Sequence, residues 1–575
     1  MATTAAETNG ESKDTVPTIK TPSGYGLPPT TPYSVTFHIP SWATLMYLVE
    51  NPEKGMDAIK NSYPRFGPWG LVKELTGAIT SDYLQKDQAC LLFASKDSAL
   101  ACRDFVMSEK RGDKKISSED VHIKAFDFRI RLWAVVFPAK KTEAAIPFWQ
   151  DAGTGISSRI SKDCLDRCHL LTPVEDLTVE KDGLPMDSPA FEVVKARIAE
   201  HLNRSPITAR PKSVASTDVF LYPTGMAAIY QLQRYLNDSG ARPGSTILFG
   251  FAFHSTPHVY KQWSSTFKWF GRGNDDLDEL EAYCAGEIEA GRPIQALWTE
   301  FPSNPNLRVH DLKRLKALAD KYEFMIFIDE TIASFCSVDL LDVADVLLTS
   351  LTKSFSGYAD VMGGSIVLNP NSKHHATLSQ ICQKGFINEY FTTDIETLEQ
   401  NSRDYLARSQ VLNANAHAIA TYLAPLVNDP SSPITKVSYP SLGPDTKHYT
   451  PYLRPSTPEF TPGHGCLLSI ELSTLETATA FYDNLHVHQG PHLGAHRTLA
   501  MPYVRALHYK EMEWVRHCGM SERMVRVSVG LEEMEGLRRV FGFAVERARE
   551  EMEGEGRGDE AVVEAGHVRP NLVLG

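Results

Sequence analysis

Between about residues 215 and 370 the chain alternates between short apolar runs and helix-periodic stretches, and this most constrains its fold. "VFLYPT" leads into "GMAAIYQLQRYLND", "STILFGFAF" into "HSTPHVYKQW", and "QALWTEF" across a Pro-rich turn into "DLKRLKALADKY". "FMIFIDE", "DVLLTS" and "GSIVLN" follow as further apolar runs. Near-continuous apolar strands alternating with helices predict a largely parallel sheet covered on both faces. Right-handed crossovers then bring the strand C-termini to one edge, where open α/β sheets bind ligands.

Polar residues stand at those ends. "FMIFIDET" closes on Asp329, and "DVLLTSLTK" closes on Ser350, Thr352 and Lys353. "VFLYPTGMAAI" passes into a helix whose first turn holds Gly225 and Met226. Each has an ordinary reading: a lone lysine after a strand is usually solvated, and a lone aspartate often caps a helix. Their convergence has a chemical one. A dry lysine has a lowered pKa and attacks carbonyls. A carboxylate can hold a protonated ring nitrogen, and helix N-terminal amides with nearby hydroxyls suit a phosphate. An amine, an acid and an anion cradle are what pyridoxal phosphate requires of a protein.

The rest of the chain divides by composition. Residues 1–28, polar and rich in Pro, Gly, Ser and Thr, read as a disordered arm. Residues 29–165 read as an α/β extension, 185–430 as the large domain, 431–550 as a smaller α+β domain after a Pro/Ser-rich break, and 551–575 as a flexible tail. The formal net charge of −13 argues against a nucleic-acid binder. "CLDRC", with Cys164 and Cys168, is the one close pair among nine scattered cysteines, too few ligands for a zinc site, so no metal is expected. No apolar run approaches the roughly 20 residues that span a bilayer. With no apparent targeting segment, a cytoplasmic location and no membrane partner are expected.

"TGMAAI", "EFPSNP", "FIDET", "TSLTKSFSGYADVMGG" and "VRVSVGLE" resemble, in order and spacing, the pyridoxal-phosphate enzymes of cysteine and methionine metabolism. "YPRF" and "LLFASKDSALACRDF" resemble the fungal cystathionine γ-synthase group with its long N-terminal extension. The resemblance implies a fold-type I transferase with a mostly parallel seven-stranded sheet. It implies that Lys353 bonds the cofactor, Asp329 pairs with its ring nitrogen, and Gly225, Met226, Ser350 and Thr352 hold its phosphate. Asn304 would lie beside the ring oxygen. Arg526 would grip the substrate carboxylate, with Arg497 and Thr498 nearby. Tyr63 and Arg65 would reach the phosphate of a neighbouring subunit, giving a homodimer or homotetramer with shared sites and small amino-acid substrates. Two departures stand out. Phe253 occupies the place of a tyrosine over the ring, and His492, followed by His496 and Arg497, replaces the serine of a Ser-Leu-Gly motif. The implied activity is γ-replacement on an O-acylated homoserine by a thiol, with cysteine giving cystathionine in methionine biosynthesis. The alternatives are another nucleophile in a specialised pathway, an O-acetylhomoserine sulfhydrylase, or a cystathionine lyase.

Overall fold

A computed structural model describes residues 16, 18–51, 59–60, 63–178, 183–240 and 243–558. The first part of the expected arm and residues 559–575 of the expected tail lie outside these.

The central sheet contains β5 (Val219–Tyr222), β6 (Ser245–Phe249), β7 (Phe267–Phe270), β8 (Ile294–Glu300), β9 (Met325–Asp329), β10 (Val346–Thr349) and β11 (Gly364–Leu368). These labels count from β1 (Gln88–Phe93), β2 (His122–Asp127), β3 (Arg131–Pro138) and β4 (Thr172–Val174) of the N-terminal extension. The order is β5-β11-β10-β9-β8-β6-β7. Only β11 runs against its neighbours; the other pairs are parallel. Alternate side chains feed two cores. Leu248, Trp298, Phe327, Leu348 and Ile366 enter one, while Ile247, Leu297, Ile326, Leu347 and Val367 enter the other. Burial on both faces explains the unbroken apolar runs. β7, "FKWF", is too short and too interrupted by its lysine to stand out in the sequence.

The extension forms an antiparallel sheet ordered β1-β3-β2-β4. It is not a separate body. Phe93, Trp133, Phe148 and Trp149 share one apolar core with Met226, Ile229 and Tyr230 of the helix Gly225–Ser239. The Phe148 and Tyr230 rings meet edge to face at 5.8 Å, an arrangement favoured by the ring quadrupoles.

The C-terminal sheet joins β12 (Ile434–Ser438), β13 (Leu467–Leu472), β16 (Met524–Ser528), β15 (Leu499–Met501) and β14 (His488–Gln489), in that spatial order. β12 lies inside the Pro/Ser-rich stretch read above as a break. Two terminal expectations are corrected. Residues 18–28 are packed, with Leu27 buried, Gly24 N–H bonded to His38 O, and Thr21 Oγ1 2.9 Å from His488 Nε2. The final helix, Met534–Gly558, continues past residue 551, and its apolar positions from Leu537 to Ala548 pack in the C-terminal core.

Candidate active site

The C-terminal ends of β8, β9 and β10 and the start of the helix Gly225–Ser239 border a cleft. Gly225, Met226, Phe253, Asn304, Asp329, Ser350, Thr352, Lys353, Arg526, Tyr63 and Arg65 all line it.

Lys353 follows β10 directly, in a turn closed by its own N–H on Ser350 O. Its Nζ donates to Tyr63 Oη at 3.0 Å and lies 3.5 Å from His492 Nδ1. Burial lowers the lysine's pKa, with Tyr63 acting against the shift. Burial raises that of Tyr63, but the charges of Lys353 and Arg65 bring it below its ordinary value overall. The amine is therefore poised towards its neutral, nucleophilic form.

The floor carries a carboxylate pair that sequence reasoning half found. Asp329 opens to the cleft, and its Oδ1 accepts from Thr331 N–H at 3.0 Å. Glu300, beside it in register on β8, was missed, although it too ends a strand. Its two oxygens accept from the N–H groups of Phe253 at 2.6 Å and Asn304 at 2.9 Å. Burial raises both carboxyls, and the charge of Asp329 pushes Glu300 further up. Glu300 thus sets two backbone segments, while Asp329 remains the group placed for a cation in the cleft.

At the helix start, Thr224 Oγ1 caps Ala227 N–H at 2.9 Å and donates to Gly153 O of the extension at 2.9 Å. Gly225 and Met226, in the first turn of the helix, line the cleft. A Cβ on Gly225 would lie 2.8 Å from that of Ser350, so the glycine lets helix and loop close on each other. Thr352 Oγ1 is committed to Gly363, donating to its carbonyl and accepting from its N–H. Arg65 gives Nη1 to Gln150 O at 2.9 Å, while its buried Nη2 has no partner. Free helix amides, a serine hydroxyl and an unpaired guanidinium nitrogen fit a phosphate. With Asp329 for the ring nitrogen and Lys353 for the carbonyl, these residues fit pyridoxal phosphate.

Arg526, on β16, is buried; Nη1 donates to Asn304 Oδ1 and Nη2 to Pro491 O, both at 3.1 Å. Its guanidinium lies 4.5 Å over the ring of Tyr503, another site residue the sequence did not disclose.

Two expectations, for Arg497 and Thr498, are corrected. Tyr63 and Arg65 line the cleft of the chain itself. Trp149 Nε1 and Gln150 Nε2, from the extension's helix Thr142–Ala152, hold Pro64 O and Phe66 O at 2.6 and 2.7 Å and pin the segment there. Arg497 is exposed and does not line the cleft. Thr498 does not line it either: its N–H and hydroxyl are both bonded to Glu532, which turns residue 498 inward and its neighbour out to solvent. His492, Pro491 and Leu493 approach the lysine instead.

Such a fold and site, a lysine at the C-terminal edge of a largely parallel sheet facing an acid and an anion cradle, define a pyridoxal-phosphate enzyme. Residues 213–545 match the family described as Cys/Met metabolism PLP-dependent enzyme, and residues 71–157 match the fungal trans-sulfuration enzyme N-terminal domain. The chain belongs to the Cys/Met metabolism PLP-dependent family and is cystathionine γ-synthase-like. It is 33% identical to the cystathionine gamma-synthase-like enzyme iboG1 of Amanita muscaria, over 92% of this chain and 98% of that one. It is 32% identical to the alanine racemase ungC of Aspergillus violaceofuscus, over 89% and 94% of the two chains. Identity to the cystathionine gamma-synthase of Neurospora crassa is 30%, over 92% and 98%. The fold is also that of a putative O-acetylhomoserine (thiol)-lyase from Campylobacter jejuni, solved with a pyridoxyl-lysine phosphate (TM-score 0.51, 20% identity, covering 63% of this chain and 87% of that one). Among the described residues no helix is long and apolar enough to cross a membrane, and no cluster of His, Cys, Asp or Glu is placed to hold a metal.

Proposed function

We propose that the protein carries out γ-replacement on an O-acylated homoserine, with cysteine as the thiol and cystathionine as the product. The observation that carries this reading is the lysine amine 3.0 Å from Tyr63 Oη, in a cleft lined also by Arg526. γ-Replacement needs repeated proton movement at neighbouring carbons, and a buried amine beside a hydroxyl of lowered pKa suits that task. Pyridoxal phosphate, when bound, supplies the electron sink that weakens bonds at the α-carbon and beyond. Arg526 holds the α-carboxylate, and Lys353 moves protons from Cα and Cβ before the acyl group leaves Cγ. The likeness to the Neurospora crassa synthase and to the fungal trans-sulfuration N-terminal domain supports the reading.

Phe253 and His492 favour a second reading, a different nucleophile in a specialised pathway. Phe253 has no hydroxyl for proton traffic, and His492 adds an imidazole beside the lysine. The decisive experiment incubates the purified protein with O-acetylhomoserine and several thiol and non-thiol nucleophiles, and identifies the products by mass. Cystathionine as the main product supports the first reading, and another adduct the second. Homocysteine from sulfide, or cleavage of cystathionine, would overturn both in favour of a sulfhydrylase or a lyase. As part of the same proposal the enzyme works in the cytoplasm, as a homodimer or homotetramer.

A further inference from the structure

His492 has no part in the chemistry assigned so far, yet it touches the central amine. Its Nδ1 lies 3.5 Å from Lys353 Nζ, its side chain is 1% exposed, and its Nε2, also buried, has no hydrogen-bond partner. A buried polar atom without a partner costs about 1–3 kcal/mol, so a ring placed only to fill space would be better replaced by an apolar one. The groups facing the ring come from four directions: Lys353 after β10, Arg526 on β16, Tyr63 from the extension, and His496 further along its own loop. Lys353, Arg526 and His496 oppose a charge on the imidazole.

We propose that His492 is a second proton-transfer group of this site, accepting at Nδ1 the proton that Lys353 removes from the substrate carbon and handing it back when the product is protonated. In the forward step an Nζ–H bond of the ammonium breaks and an Nδ1–H bond forms. The electron pair stays on Nζ, which is again a free amine, and the positive charge passes to the imidazolium. The return step reverses this, and no other reactant is needed. In the tautomer with its hydrogen on Nε2, the neutral ring leaves Nδ1 to accept. Burial, and then the charge of Lys353, keep the ring's pKa well below its ordinary value, so at neutral pH the accepting form is present. Burial lowers the lysine's pKa as well, so its ammonium form gives up a proton more readily than an exposed lysine does. The inference rests on the reading that Lys353 moves protons at the α-carbon; it does not depend on the nucleophile or the leaving group.

Two measurements on the full-length protein test it. In cofactor-free protein, the pH dependence of Lys353 acetylation by acetic anhydride, read by peptide mass, reports the contact. His492→Leu removes the acceptor that favours the ammonium form, so the labelling midpoint should move to lower pH and labelling at pH 7 should rise about twofold or more. His492→Asn keeps an acceptor near Nδ1 and should leave the midpoint in place. In the loaded enzyme, deuterium entry at Cα of L-homoserine in D2O reports proton transfer. His492→Asn and His492→Ser should keep the visible cofactor band but exchange at least about tenfold more slowly, since neither side chain can take a proton. An unmoved labelling midpoint in His492→Leu, or wild-type exchange in both polar variants, overturns the proposal. Normal Cα exchange in an enzyme that forms no γ-replacement product would instead remove the proposed function and leave His492 in its role.

Discussion

At the scale of single residues, Lys353 and Arg526 share the cleft but differ in what their loss should do. Lys353→Ala removes the only amine placed to bond the cofactor among the residues that line the cleft, so the visible absorption band and turnover should disappear together. Arg526→Ala removes a substrate contact, and charge-assisted hydrogen bonds are worth about 1.5–3 kcal/mol. We expect kcat/KM to fall roughly tenfold to a hundredfold with the band intact. A lost band in Arg526→Ala would assign that arginine to the cofactor. Glu330, next to Asp329, allows a pH test. It is buried, takes a hydrogen bond from Thr349 Oγ1 on one oxygen, and leaves the other unpartnered. Burial raises its pKa from 4.5 to about 8. The folded state therefore holds a proton that the unfolded chain releases at lower pH. Its stabilising contribution is full below the unfolded value and declines as pH rises from 4.5 towards about 8. Glu330→Gln should flatten the fall in thermal midpoint across that window; an unchanged slope would mean the carboxyl is ionised in the fold.

At the scale of elements, the helix Gly225–Ser239 is set from outside its own domain. Gly153 ends the extension's helix Thr142–Ala152 at φ 66°, a conformation costing roughly 1–2 kcal/mol for other residues. A Cβ there would lie 2.4 Å from Thr224 Oγ1 and 3.0 Å from Ala227 N, against the cap of the phosphate-facing helix. Gly153→Ala should thus weaken cofactor binding about tenfold, as measured by titrating cofactor-free protein, besides lowering stability. Gly291→Ala is the control. It has φ 69° but open space around it, so it should lower stability alone. Equal losses of affinity in both variants would deny the extension a role in the cradle. The legibility of the elements follows their burial. The strands that close on Asp329 and Lys353 were readable because both faces are covered, so apolar runs end abruptly at the polar edge. Glu300 gave the same signal, ending an apolar run read as a strand, but it was given no role beside the Pro-rich turn that follows. β12 was hidden because residues 435 and 436 are exposed and prolines flank it. Arg497 was misplaced because kinship of a loop does not say which of two consecutive side chains faces inward; the bonds of Thr498 to Glu532 decide that.

At the scale of the whole molecule, the extension, the large domain and the C-terminal domain each contribute to one cleft. Tyr63 and Arg65 come from the first, Lys353 and Asp329 from the second, and Arg526 from the third. Nothing in the sequence could say whether "YPRF" serves its own chain or a neighbour, because a motif match carries no record of connectivity. Within one chain, Trp149 and Gln150 hold the motif at the cleft. Arg65→Ala and Lys353→Ala chains, each inactive, should therefore fail to restore activity in verified mixed oligomers, since every site retains one lesion. Recovery would place the pair across an interface.

A site assembled from one polypeptide, the arrangement for which the mixed chains should fail to recover activity, also predicts how a cell holding two alleles would behave. An inactive copy cannot poison the centre of an intact one, and an intact copy cannot rescue it. Output would follow the fraction of intact chains in direct proportion. Loss-of-function alleles would be recessive by dosage, and two different defective alleles would not complement each other, whichever of the three regions they strike.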